Sequence, residues 1–379
     1  MGLAMPLALQ VRSSAGLYGA DRVVLALDRV LARVGARSRL LSINNYRMGE
    51  QALHDTASAS GQDAVLLPCR GRVDPATVAA LAGQIASARH PVVHVHDYKS
   101  AFYAWLATRR APAPLVATLH GWVENSASLR LYTRLELALL RRFDALVVVS
   151  ADQVDRLARA GVPRGRIRHL DNGIDCPTRD EAGAAALRAQ LVLPPGVRVF
   201  SAVSRLSVEK NLPMLLRAFA PIAAGREDVV LLVVGDGPQR EELHALADRL
   251  GLAGKVRFLG VRHDMAAVYT LTDHLVLPSL TEGMPLVVLE AMACEVPVIA
   301  SAVGDVPRLL AHGAQSRLVP PGDLDALRGA LLDALDAPSV RDAGARRHVL
   351  ERHSAQAMAL AYLDVYRSLL EKSHGRRAS

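Results

Sequence analysis

The chain predicts an α/β protein built from two doubly wound domains in tandem. Three observations carry this. Short apolar runs of strand length alternate with amphipathic stretches along the whole chain, the pattern of parallel sheets with helices on both faces. The alternation breaks once, between Asp175 and Gly196, where Pro177, Gly183, Pro194, Pro195 and Gly196 gather. And 379 residues are too many for one ordinary core and suit two.

In the first half, the runs Leu7–Val11, Arg39–Ser42, Ala64–Leu67, Val92–Val95, Leu115–Thr118, Ala145–Val149 and Ile167–Leu170 read as buried strands. Amphipathic stretches such as Ala20–Val34, Leu129–Arg141 and Asp152–Ala160 fall between them. The second half repeats the plan, with strands at Arg198–Val203, Val229–Val234, Val256–Phe258, His274–Leu277 and Val298–Ala300 and helices at Leu212–Ala223, Gln239–Arg249 and Leu286–Cys294. From Ala355 to Leu370, Met358, Ala361, Tyr362, Val365, Tyr366 and Leu369 fall on one apolar stripe, which predicts a closing helix. The organisation expected is a first domain over 1–175, a linker over 176–196, a second domain over 197–352, the closing helix over 353–372 and an unstructured basic tail over 373–379.

Composition excludes several classes. Hydrophobic residues are 51% and charged residues 22%, which is ordinary for a soluble protein. No window reaches the ~18 apolar residues of a spanning helix, and Met1–Gln10 has neither the basic start nor the apolar core of a signal peptide. Three widely spaced cysteines, Cys69, Cys176 and Cys294, point to reduced thiols in the cytoplasm. Residues 1–180 carry 23 Lys+Arg and 15 Asp+Glu, so they hold the whole net charge of +8. An anionic membrane surface, a phosphorylated substrate and a plain arginine-rich solvated surface all account for that surplus. Nucleic acid does not fit, because aromatics are 4% and no recognition motif is present.

The chemistry-bearing positions cluster after predicted strands. Glu282 follows the strand ending at Leu277, where open α/β sheets bind ligands. Pro285 then opens an apolar helix at its first position, and Glu290 lies further along it, an acid that needs a polar partner. After Arg198–Val203, Arg205 and Lys210 lie five residues apart in a strand-to-helix loop, able to converge on one anion; two solvated cations are the plainer account. Gly235-Asp236-Gly237-Pro238 lacks the third glycine of a dinucleotide fingerprint and reads as a tight turn. Glycosidase chemistry is disfavoured. Retaining glycosidases hold their acids ~5 Å apart, whereas Glu290 is already a rise of roughly 7–8 Å into its helix. Asp323-Leu324-Asp325 resembles a metal-binding DxD, but its place before a helix makes Asp323 an N-cap. His120 with Gly121 ends a strand, and Asn172-Gly173 reads as a turn. His94 and His96 are read as pointing to opposite strand faces, which denies them a shared metal.

Taken in order, these stretches resemble retaining glycosyltransferases of family 4. The matching pieces are Val203-Ser204-Arg205-Leu206 with Glu209-Lys210-Asn211, Val234 to Pro238, Phe258-Leu259-Gly260, Pro278-Ser279 with Glu282 to Pro285, Glu290 to Cys294, Val296 to Ser301 and Pro320 to Asp323. Upstream come Gly16 to Asp21, His94-Val95-His96, Thr118 to Trp122 and Asn172 to Asp175. The resemblance implies the GT-B fold: two Rossmann-like domains facing across a cleft, with the C-terminal helix crossing back to the first. It implies a UDP- or GDP-linked sugar donor, with no cofactor and no metal. The donor is met by Gly16, Gly19, Arg205, Lys210, Gly260, Val261, Glu282, Gly283, Met284, Pro285, Leu286 and Glu290. Arg205 and Lys210 take the diphosphate, Glu290 the ribose, and Glu282 the sugar; Glu282, His120, Arg205 and Lys210 form the catalytic group. His96, Asp97, Lys99 and Trp122 line the acceptor side.

The activity implied is hexosyl transfer with retention to a glycan or lipid-linked glycan in polysaccharide or cell-envelope biosynthesis. Its place would be the cytoplasm, with peripheral attachment at the inner membrane left open. A nucleotide-sugar epimerase of the same fold and a non-catalytic glycan- or lipid-binding relative are the rival readings. Two departures from the pattern bear on the donor pocket: Gly304-Asp305-Val306-Pro307-Arg308 replaces Gly-Gly-x-Pro-Glu, and Glu295 replaces a glycine.

Overall fold

Among the described residues, thirteen strands form two parallel sheets. In the first sheet, β1 (Leu7–Arg12), β2 (Arg37–Ile43), β3 (Ala64–Leu67), β4 (Pro91–Val95), β5 (Leu115–Leu119), β6 (Ala145–Val148) and β7 (Ile167–His169) take the order β3-β2-β1-β4-β5-β6-β7. In the second, β8 (Arg198–Val203), β9 (Val229–Val234), β10 (Val256–Gly260), β11 (His274–Leu277), β12 (Val298–Ser301) and β13 (Arg317–Val319) take the order β10-β9-β8-β11-β12-β13. This computed structural model describes residues 5–14, 16–44, 49–71, 73–120, 137–338 and 340–378, with the side chains of 374–378 left aside. All pairings are parallel, and β-branched and leucine side chains fill the central strands, β9 being Val-Val-Leu-Leu-Val-Val and buried throughout. Each sheet reverses its strand order once, between β1 and β4 and between β8 and β11, and these switch points are where such sheets take ligands.

The chain divides into one unit of residues 1–175 and 352–379 and a second of 176–351. The first unit closes with the helix Ala355–Ala378, whose Met358, Tyr362, Leu363, Val365, Tyr366 and Leu369 are buried. Burying each such side chain contributes roughly 1.5–3 kcal/mol. Ile174 N–H donates to the His353 carbonyl at 2.9 Å and Ala355 N–H to the Ile174 carbonyl at 2.8 Å, so the two crossing strands of chain lie paired within this unit. Gly173 permits the approach, because a Cβ there would lie 2.5 Å from the Ser354 carbonyl oxygen. Among the described residues no helix is long and apolar enough to cross a membrane. None of the three cysteines forms a disulfide, and burial pushes the Cys294 thiol up to about 11.

Three boundaries differ from expectation. The segment read as a linker contains the helix Glu181–Gln190, which buries Ala184 and Leu187 and lies against the helix Met265–Leu271 of the second unit. Its alanine-rich sequence is strongly helix-forming, and the Asp180 carboxylate caps it by accepting from Gly183 N–H at 2.9 Å. Pro177, Pro194, Pro195 and Gly196 only bracket it, and Gly183 sits in its first turn. The closing helix runs through Ala378, beyond the expected end at 372. The short edge strand β13 was not expected, since two of its three residues are exposed and give no apolar run. Most of the expected helix Leu129–Arg141 lies outside the described residues.

Candidate active site

In the second unit, the loops after β8 and β11 flank the switch point and meet there. Lys210, in the short 3-10 turn Val208–Lys210, donates from Nζ to Glu282 Oε1 at 2.7 Å. Ser279 Oγ donates to the same oxygen at 2.7 Å. Leu280 N–H donates to the Glu209 carbonyl at 2.8 Å, joining the two loops through their backbones. Asn211, in the left-handed region at φ +51°, turns the chain into the helix Leu212–Gly225, a conformation asparagine tolerates. Arg205 is exposed in the same loop.

The β9 loop supports Arg205 from beneath. Leu206 N–H donates to the Asp236 carbonyl at 3.0 Å and Gln239 N–H to the Leu206 carbonyl at 2.9 Å. A Cβ on Gly235, at φ +128°, would lie 1.9 Å from the Ser204 carbonyl oxygen. The Gly-x-Gly turn is there to let two backbones touch. Gly235 N–H in turn donates to the Gly260 carbonyl at 2.8 Å, so the end of β10 joins the same edge. Gly260 sits at φ +66° beside open space, and Val261 after it is 63% exposed.

Behind Glu282, Met284 and Pro285 are buried, and the helix Leu286–Ala293 begins one residue after Pro285. Pro285 is therefore the N-cap and not the first helical residue. Gly304, at φ +54°, lies directly under the loop: a Cβ there would be 2.2 Å from the Glu282 carbonyl oxygen. Asp305 N–H donates to the Gly283 carbonyl at 2.9 Å, while its buried carboxylate accepts from Arg308 Nε at 2.8 Å. The departing Asp305 and Arg308 thus pair with each other beneath the loop. Glu295, where the pattern has glycine, occupies φ +63°. Glu290 lies on the helix with Oε2 accepting from the Tyr269 hydroxyl at 2.6 Å; Tyr269 is buried. Arg205, Lys210, Gly260, Val261, Glu282 to Leu286 and Glu290 thus all lie on or just behind one carboxyl edge of this sheet.

In the first unit, Gly16 lies in the loop after β1 and Gly19 is the exposed first residue of the helix Gly19–Leu31. The buried Asp21 carboxylate organises this turn, accepting from Arg12 Nε at 2.8 Å, Ser14 Oγ at 2.9 Å and Tyr18 N–H at 2.8 Å. Asp97 caps the helix Tyr98–Thr108 through Ser100 N–H at 2.9 Å and accepts from Ser13 N–H at 2.8 Å. Lys99 Nζ donates to the Asn44 carbonyl at 3.4 Å. Trp122 and Gly121 lie outside the described residues.

His94 and His96 share a face, contrary to expectation. Residues two apart on a strand point the same way, and their ring centroids are 4.1 Å apart. His94 meets the Tyr366 hydroxyl through Nδ1 at 2.8 Å and Thr118 Oγ1 through Nε2 at 2.7 Å. His96 meets Gln10 Oε1 through Nε2 at 2.8 Å and His120 Nε2 through Nδ1 at 3.3 Å. His96 is buried, its ring committed to these partners. Burial, with the Arg12 guanidinium second, depresses His120 to about 3, and burial holds His94 and His96 well below the usual histidine range. All three rings are neutral at pH 7.

Tyr269, Ser279, Gln10, Thr118 and Tyr362 were missed from sequence as parts of these clusters. The available signal was a polar residue inside an otherwise apolar buried strand, as with Gln10 in β1 and Thr118 in β5, which must find a partner.

The profile of the family described as Glycosyltransferase Family 4 matches residues 18–177, and that described as Glycosyl transferases group 1 matches residues 197–337. D-inositol 3-phosphate glycosyltransferase 2 of Catenulispora acidiphila is 32% identical over 309 residues, covering 74% of this chain and 71% of the relative. The D-inositol 3-phosphate glycosyltransferase of Saccharomonospora viridis is 33% identical over 76% of this chain and 72% of its own. Among solved structures, Anabaena HepE in complex with UDP-glucose superposes with a TM-score of 0.82 at 22% identity, over 96% of this chain and 100% of that one. Sucrose-phosphate synthase from Thermosynechococcus elongatus gives 0.79 at 24%, over 97% and 100%. These structures establish the fold as GT-B.

Proposed function

The chain belongs to glycosyltransferase family 4, and on that footing we propose that it moves a hexosyl group, with retention of configuration, from a nucleoside-diphosphate sugar to a hydroxyl of a glycan or lipid-linked glycan. The observation that carries this reading is the meeting of the Lys210 and Glu282 loops at the switch point of the second sheet. A donor there has its diphosphate on Arg205 and Lys210, its ribose hydroxyls on the Glu290 carboxylate and its sugar beside Glu282 and the backbone of Gly283 to Leu286. Gly260 and Val261 give backbone access to this donor.

The chemistry follows from charge. As the bond from the anomeric carbon to the phosphate oxygen breaks, negative charge grows on the diphosphate, where fixed cations lower the barrier most. The acceptor oxygen bonds to the anomeric carbon on the face that the phosphate leaves, and its proton passes to the departing phosphate oxygen. We assign the neutral His120 to a hydroxyl of the transferred sugar. Arg205 and Lys210 take up the leaving charge, so this reading assigns no metal to that step. Lys99 and the segment around Asp97 and Trp122 are assigned to the acceptor.

HepE, named in complex with UDP-glucose, supports a UDP-linked donor, and GDP-linked sugars are the second class to try. The relatives named for D-inositol 3-phosphate add phosphorylated polyols to the acceptors worth screening. The basic surplus of residues 1–180 supports docking at an anionic cytoplasmic membrane face, which co-sedimentation with liposomes of graded anionic content tests. The donor reading is tested by thermal shift across nucleotide sugars. A ligand at a hundred times its dissociation constant stabilises by about 2.7 kcal/mol. Glu290→Ala and Lys210→Ala are expected to abolish the shift; a shift unchanged in both sinks the assignment.

A further inference from the structure

The loops that enter β5, β6 and β7 lie on the amino edge of the first sheet, opposite the edge that carries His120. Parallel pairing brings three arginine-bearing segments to this one edge: Arg109-Arg110 ahead of β5, Arg141-Arg142 ahead of β6 and Arg164 to Arg168 at the entry to β7. Part of the basic surplus of residues 1–180 therefore collects here, away from the proposed chemistry. Between these loops and the closing helix lies a hollow of about 340 Å³, within the roughly 300–1,000 Å³ of small-ligand sites. The buried part of its lining is apolar, with Val365 and Leu369 of the closing helix beside the half-buried Pro114. The open part is charged: Arg166 and Lys372 are exposed and Arg168 is half-buried, with Asp144 the one acid among the lining residues.

The two guanidinium groups are anchored but not used up. Arg166 donates from Nη1 to the Arg141 and Phe143 carbonyls at 3.1 and 3.5 Å. Arg168 donates from Nη1 to the Gly165 and Ile167 carbonyls at 2.8 and 3.1 Å. Each keeps Nε and Nη2 without an acceptor among the described residues, and Lys372 has no partner among them either. Asp144 does not neutralise the group: its Oδ2 accepts from Leu115 N–H at 2.9 Å, and among the described residues no ion pair joins it to the three cations. Three cations against one carboxylate leave two positive charges. A phosphomonoester, at about −1.5 to −2 near pH 7, matches that charge, and a lone carboxylate does not. Anchored arginines present paired donors to phosphate oxygens and lose less freedom on binding than arginines held only by water. We propose that this hollow is a binding site for a phosphomonoester with an apolar body. The phosphate lies on Arg166, Arg168 and Lys372 and the body against Val365, Leu369 and Pro114. The occupant then bridges the entry to β7 and the closing helix. The site belongs wholly to the first unit, and its assignment does not rest on the donor reading.

Hydrogen exchange read by mass spectrometry on the full-length protein tests this. The soluble probe is phenyl phosphate, with benzoate as its carboxylate control. The lipid probe is vesicles of phosphatidylcholine with phosphatidic acid, with phosphatidylcholine vesicles as control. A phosphomonoester is expected to slow exchange over residues 143–146, 165–169 and 365–373 where its control does not. Protection by phenyl phosphate means that the site takes soluble esters; protection by phosphatidic acid vesicles alone makes the source a lipid headgroup. Lys372→Glu reverses a charge at an exposed residue with no partner to lose, and Arg168→Gln removes one anchored fork. Each should weaken binding of the protecting probe at least tenfold. No protection of these segments by either phosphomonoester beyond its control, or protection unchanged in both folded variants, overturns the proposal. Because the segments read are remote from Arg205 and Lys210 in sequence, protection confined to the donor loops also overturns it while leaving the donor reading intact.

Discussion

Lys210 Nζ donates to Glu282 Oε1 across 2.7 Å, with the two side chains only 21% and 8% exposed. The residues are 72 positions apart and belong to the two loops that flank the reversal of strand order between β8 and β11. Shielding from solvent makes this pair stronger than an exposed ion pair, and it ties the group assigned to the diphosphate to the group assigned to the sugar. Lys210→Met and Glu282→Gln are each expected to lower kcat by about 10²–10³, the scale of losing one transition-state contact. The double variant should lose far less than the product of the two, because residues that act as a unit are non-additive. Transfer rates across the four proteins decide it: strictly multiplicative losses would mean that the pair does not work as one device.

A second pair lies at the residue assigned to the ribose of the proposed donor. The Tyr269 hydroxyl holds Glu290 Oε2 at 2.6 Å from inside the core, which orients the carboxylate. Tyr269→Phe removes one hydrogen bond to a charged group, worth about 1.5 kcal/mol, so the nucleotide should bind roughly tenfold more weakly. Glu290→Ala removes the ligand itself and should cost more. Calorimetric titration with UDP and GDP measures both. Wild-type affinity in a folded Tyr269→Phe protein would show that the tyrosine does not orient the acid.

The contrast between these pairs shows what a sequence exposes. Lys210, Glu282 and Glu290 follow apolar strands in polar loops or helix starts, so strand prediction alone places them on one edge. The described strands other than β13 were legible within one or two residues, because β9 and its neighbours are uninterrupted apolar runs. Tyr269 and Tyr366 were not legible as polar partners, since an aromatic on an apolar helix stripe reads as core until its hydroxyl is located. The helix Glu181–Gln190 was hidden by the prolines on either side of it. The two-residue period that places His94 beside His96 was available in the sequence and was misapplied.

Two glycines with similar backbones should respond differently to alanine. Gly260 at φ +66° faces open space, while a Cβ on Gly304 at φ +54° would lie 2.2 Å from the Glu282 carbonyl oxygen and 2.6 Å from that of Gly283. Gly260→Ala carries only the left-handed conformational cost, about 1–2 kcal/mol. Gly304→Ala adds a clash with backbone and must displace the Glu282 loop. It is expected to cost at least 3 kcal/mol in urea unfolding and to lose transfer activity even where it folds. Equal costs for the two variants would show that the loop yields freely and that its contact with Gly304 does not hold Glu282 in place.

Stability should fall on mild acidification, through histidines held neutral. Burial depresses His94 and His96, and burial with Arg12 brings His120 to about 3; in the second unit burial brings His274 to about 4. Each binds its proton near pH 6.5 when unfolded and not until far lower pH when folded. Between those values the unfolded state holds more protons, so unfolding becomes easier as pH falls. The slope approaches roughly 1.4 kcal/mol per pH unit for each such histidine. Asp28 acts the other way, since burial raises its carboxyl, but it is one group against four histidines. Urea unfolding at pH 7.5, 6.5 and 5.5 should therefore show a small loss over the first step and a loss about three times larger over the second. Replacing His94 by Gln should flatten that loss by one histidine's share. A flat profile down to pH 5.5 would mean that the rings charge inside the fold, and the hydrogen bonds that His94, His96 and His120 make as neutral rings could not then exist.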